Sequence, residues 1–87
     1  MKTYLGTSGL DKSWQAKFKA NIKCKHCGKN ARIMFVAFEK VEKEYVCNLH
    51  PNTCARKGGK FWAHDAIAVA VYACEKCYEV SAEMNQA

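Results

Sequence analysis

Between residues 17 and 24 the chain reads KFKANIKC. Phe18, Ala20, Ile22 and Cys24 fall on one side of a two-residue period, and Lys17, Lys19, Asn21 and Lys23 on the other. Side chains of a strand point alternately to opposite faces, so this alternation predicts a half-buried strand that ends on a cysteine. ARIMFVAFEK, residues 31–40, is rich in β-branched and aromatic residues and predicts a second strand. The turn of the resulting hairpin is CKHCGKN, residues 24–30, where Gly28 supplies the positive φ that a tight turn requires.

KEYVCNLH, residues 43–50, predicts a third strand as far as Cys47, followed by a loop over PNTCARKGGK, residues 51–60. Within FWAHDAIAVAVYAC, residues 61–74, Ile67, Val69 and Val71 alternate with Ala66, Ala68 and Ala70. The alanines suit a helix starting after Asp65 as well as a strand with one close-packed face; the two-residue spacing of the branched residues favours the strand. EKCYEVSAEMNQA has no glycine after its second cysteine and is rich in helix formers, which predicts a short C-terminal helix from about Glu75. Residues 1–13, with Gly6, Thr7, Ser8 and Gly9, read as a flexible lead-in, and 14–87 as one domain. The expected fold is a small α+β domain, mostly antiparallel β, with that C-terminal helix.

A chain of 87 residues buries a modest core, and such domains commonly need a staple. Almost half of the residues, 49%, are hydrophobic, so the chain is not a disordered tail. No apolar run is long enough to span a membrane or to act as an export signal. That makes a cytoplasmic location the expectation, and it makes the six cysteines metal ligands or buried thiols rather than a disulfide framework.

Cys24 and Cys27 form one Cys-x-x-Cys pair and Cys74 and Cys77 another. Two such pairs bring together four soft thiolates in the tetrahedral set that zinc accepts, leaving no open coordination position. Iron fits the same four thiolates. A redox dithiol is the rival reading of a single pair, but two pairs without a βαβ pattern argue against it. The layout of knuckle, strands and second Cys pair resembles the zinc-ribbon and treble-clef group of small zinc domains. Within that resemblance, a helix launched by the second pair implies a treble clef, and a second hairpin knuckle implies a ribbon.

Cys47, His50, Cys54 and His64 form a looser set that could hold a second zinc, with buried thiol and loop residues as the plainer reading. One zinc per chain is the expectation. His26, between the ligands of the first pair, is expected to face water. Treble-clef folds include His-Asn-His nucleases, and Asn48, His50 and His64 are the candidates for that pattern. Their order departs from it, and Asp65 beside His64 suits a turn-capping role. A closed four-thiolate site predicts a binding protein rather than an enzyme.

The net charge is +6, and residues 1–32 carry eight basic side chains against Asp11. Four thiolates around a divalent ion carry −2 together, which brings the total nearer +4 and tempers the basic character. Lys17, Lys19 and Lys23, continuing to Lys25, predict a surface that follows a phosphate backbone, with Tyr4, Trp14 and Phe18 as candidates to stack on unpaired bases. Arg56, Lys57 and Lys60 offer a second basic cluster. Edge lysines also deter sheet-to-sheet association, which is the plainer explanation of a charged strand face. The leading expectation is a nucleic-acid-binding accessory module. The alternative is a protein-interaction adaptor using Phe61, Trp62 and Tyr72.

Overall fold

The computed structural model describes residues 1–40 and 66–87. Their elements are β1 (Lys2–Leu5), a 3-10 turn (Gly6–Gly9), β2 (Asn21–Lys23), β3 (Asn30–Phe38), β4 (Ile67–Cys74) and β5 (Val80–Gln86). All strand pairings are antiparallel. β3, β4 and β5 lie side by side, while β1 and β2 sit end to end along the outer edge of β3.

β3 explains how an irregular hydrophobic pattern still makes a sheet. Ala31 and Ile33 point to the core side at its start, whereas Val36 and Phe38 do so at its end, a change of parity. The register with β4 shifts between Ile33 and Phe35, a bulge that absorbs the extra residue Met34 and leaves it exposed. β4 is the strand that the branched-residue spacing predicts. Its Ala68 and Ala70 are fully buried, and Val69 and Val71 are half-buried on the other side.

Those small alanines let another segment pass close over the sheet. Residues 10–20 form a strap across it, held at both ends. The Trp14 N–H donates to Asn85 Oδ1 (3.1 Å), and the Ile33 N–H donates to the Ala20 carbonyl (2.9 Å). Tyr72, buried beneath the strap, donates its hydroxyl to the Lys19 carbonyl at 2.7 Å. Phe18 enters the core from the strap and packs in one cluster with Val36, Ala70, Tyr72, Cys24 and Cys74. The core and the cysteine site are therefore continuous.

Four expectations change. The C-terminal helix is absent: 80–86 is a strand, because each of its residues pairs with β4. The expected lead-in, 1–13, holds β1, and Gly9 packs so tightly that a Cβ there would stand 2.7 Å from the Tyr4 Cβ. The alternation of 17–24 is obeyed in burial, but only Asn21–Lys23 is strand, since the strap leaves the sheet before it. Tyr72 is wholly buried and cannot serve as a contact for an adaptor. The third strand expected in 43–50, and Phe61 and Trp62, lie outside the described residues.

Candidate metal centre

The first knuckle begins where β2 ends. The Cys24 N–H donates to the Lys29 carbonyl (2.6 Å), and the Gly28 N–H donates to the Cys24 carbonyl (3.0 Å), closing a tight turn with Gly28 at φ 80°. Inside it, the His26 and Cys27 N–H groups point at Cys24 Sγ, 3.3 and 3.5 Å away.

The second knuckle, between β4 and β5, repeats this arrangement. The Cys74 N–H donates to the Glu79 carbonyl (3.0 Å), and the Lys76 and Cys77 N–H groups approach Cys74 Sγ at 3.4 and 3.5 Å. The residue corresponding to Gly28 is Tyr78, the one non-glycine residue at positive φ (61°) among the described residues. In the sequence the missing glycine reads as a sign of helix; in the fold a tyrosine adopts the glycine conformation. Aligning CKHCGK with CEKCYE shows the correspondence.

The two turns face each other. The four Sγ atoms of Cys24, Cys27, Cys74 and Cys77 lie within 4.8 Å of one another. The contacts cross between the pairs, with Cys24 to Cys77 at 3.8 Å and Cys27 to Cys74 at 3.4 Å. Tetrahedral ligands at a zinc–sulfur distance of about 2.3 Å stand roughly 3.8 Å apart, so this cluster has the size of a four-thiolate site. All four are free cysteines. The knuckles are further tied by the Glu75 N–H on the Asn30 carbonyl (3.1 Å) and by an Arg32–Glu75 ion pair (3.4 Å).

Backbone amides tune the thiols. Those of Cys27 and His26 draw the Cys24 thiol below its ordinary value. Those of Cys77 and Lys76 bring Cys74 down to about 6. At Cys77 a backbone hydrogen bond with Glu79 acts downward, but burial and the neighbouring Cys74, Cys27 and Cys24 sulfurs outweigh it and push the thiol up to about 12. Sharing protons among close sulfurs is what a cation would replace, and amides directed at sulfur are the outer-layer support that metal thiolates use.

His26 is exposed, as expected. Cys47, His50, Cys54, His64 and Asp65 lie outside the described residues. Lys17, Lys19 and Lys23 are exposed and their ammonium groups make no hydrogen bond or ion pair with the described residues, while the Lys25 Nζ donates to the Ala82 carbonyl (3.2 Å). The three rings expected to stack on bases are engaged within the protein. Trp14 stacks on Phe38 at 5.0 Å, Phe18 is buried, and Tyr4 has the ammonium groups of Lys2 and Lys12 over its ring at 5.3 and 5.2 Å. No protein-family model, curated protein or solved structure matches the chain. Among the described residues no helix is long and apolar enough to cross a membrane.

Proposed function

We propose that the chain is a nucleic-acid-binding module whose fold is closed by one structural zinc at Cys24, Cys27, Cys74 and Cys77. Zinc is favoured over iron because four thiolates in a tetrahedral set are a common structural zinc environment. Four thiolates fill the coordination sphere, which supports a binding role over catalysis. Free thiols in a small domain suit a reducing compartment such as the cytoplasm.

The observation that carries the nucleic-acid reading is the groove beside the first knuckle. Lys17, Lys19, Lys23 and Lys29 line it, with Glu83 as the single acid among the described residues. The ammonium groups of these four lysines make no hydrogen bond or ion pair with the described residues, which suits them to phosphates rather than to internal ion pairs. Replacing Lys17, Lys19 and Lys23 with Gln tests it. Affinity should fall for all sequences, and the slope of log K against log salt should flatten by about 2, near 0.7 to 0.9 per lost phosphate contact. An unchanged slope would refute the assignment.

The adaptor reading keeps one observation in its favour. The sheet face away from the strap is apolar, with Leu5 74% and Val80 60% exposed. Binding through such a face would persist at high salt.

A further inference from the structure

Phe18 is buried, Trp14 carries Phe38 on one face and is 37% exposed, and Tyr4 lies beneath two ammonium groups, so none of the three presents a ring as open as a further aromatic side chain does. One residue stands out on two independent grounds. Tyr78 is 81% exposed, the highest value among the large exposed hydrophobic side chains, and it occupies a backbone conformation that L-residues with bulky side chains rarely adopt. The matching turn uses Gly28 there, so the fold does not require a ring at this place. Backbone strain held at an exposed site is a recurrent mark of function.

Its position connects it to the lysines. Gly28 and Lys29 of the first knuckle line the basic groove, and Cys24 Sγ of that knuckle lies 3.8 Å from Cys77 Sγ, the residue before Tyr78. The groove and the second knuckle thus both adjoin the first knuckle; Tyr78 lies outside the groove lining, with Lys76 exposed on the same turn as the ring. A duplex buries the faces of its bases in its own stack. A free aromatic face on the knuckle opposite the one that lines a cationic groove instead matches a strand whose bases are available to stack.

We infer that Tyr78 is a stacking platform for an unpaired base, and that the ligand of the groove is single-stranded nucleic acid. This inference rests on the nucleic-acid reading of the groove, and the experiment separates the two. Fluorescence anisotropy of a labelled oligothymidylate, and of a duplex of equal length, is measured with the zinc-loaded full chain and three variants. Tyr78→Gly should lower single-strand affinity by about 5- to 100-fold, the range for loss of one base–aromatic stack, and Tyr78→Phe should restore it to within about twofold. The same Tyr78→Gly change relieves the backbone, so its thermal midpoint should rise; lost affinity then cannot be assigned to lost folding. Retention of full single-strand affinity by Tyr78→Gly, while Lys17→Gln/Lys19→Gln/Lys23→Gln loses it, would overturn the platform and leave the groove standing. A wild type that prefers the duplex would overturn the single-strand assignment. Failure of the wild type to bind either at low salt would overturn both inference and reading.

Discussion

At the scale of single residues, the cysteines and the glycines answer to different physics. The four ligands were legible because Cys-x-x-Cys spacing alone lets two sulfurs reach one ion, whatever fold delivers them. Tyr78 was not, since nothing in a tyrosine announces a positive φ; only its place in the second knuckle forces it. The glycines give the contrast a test. Gly28 is required for conformation, with no neighbour near where a Cβ would sit, whereas Gly9 is required for space, with the Tyr4 and Val36 Cβ atoms at 2.7 and 2.9 Å. Gly28→Ala should cost about 1 kcal/mol through backbone strain. Gly9→Ala should cost about 1–3 kcal/mol through overpacking, measured for both by urea denaturation of the metal-loaded protein. Equal and negligible effects would mean that neither turn is built as described.

At the scale of elements, β3 and β4 were legible and β5 was not. β3 and β4 are made of branched and aromatic residues whose best use is a pleated surface. VSAEMNQ contains helix formers, and local propensity is weak enough for the free edge of β4 to override it. A two-residue period was nevertheless present, with Val80, Ala82 and Met84 on one face and Ser81, Glu83 and Asn85 on the other. The strap was illegible for a different reason: it is held by single contacts over long sequence distances. Asn85 illustrates this, accepting from the Trp14 N–H and donating from Nδ2 to Ser13 Oγ (2.9 Å). Asn85→Ala should therefore destabilise by about 1–2 kcal/mol, the range for losing these bonds, and hydrogen exchange should speed up at the Trp14 amide. A Trp14 amide that exchanges at the same rate in both proteins would show that the strap is held elsewhere.

At the scale of the whole molecule, the cysteine contacts join residues 53 and 47 positions apart. By the chain-entropy relation for cross-links, closing a loop of that length is worth about 4 kcal/mol. That is comparable with the whole stability of about 3–5 kcal/mol expected of so small a core. Cys74→Ser should consequently unfold the domain at neutral pH, seen as collapse of amide dispersion in NMR; a native-like spectrum in chelator would leave the ion without a structural task.

Metal capture should also depend on pH with a definite sign. Cys77, raised to about 12, keeps its proton at pH 7 in the metal-free protein, so binding there expels it and affinity rises with pH. Cys74, lowered to about 6, adds its own proton to those expelled only below that pH, where the dependence should steepen. In the metal-free fold the signs are opposite. The lowered Cys74 stabilises above its ordinary value near 9, and that contribution is lost as pH falls through 6. The raised Cys77 stabilises below 9, and its contribution is lost as pH rises through 12. Competition titrations against a chelator across this range check the affinity; a pH-independent value would contradict the thiol assignments.

The central claim is that two matching knuckles from opposite ends of the sequence hold one ion through four sulfurs. Cadmium-113 NMR of the cadmium-exchanged protein tests it most directly, because the shift reports the donor atoms. The account predicts a single resonance in the four-thiolate range, abolished by Cys77→Ser. A mixed nitrogen and sulfur resonance as the sole signal would contradict it, and one beside the first would contradict one zinc per chain.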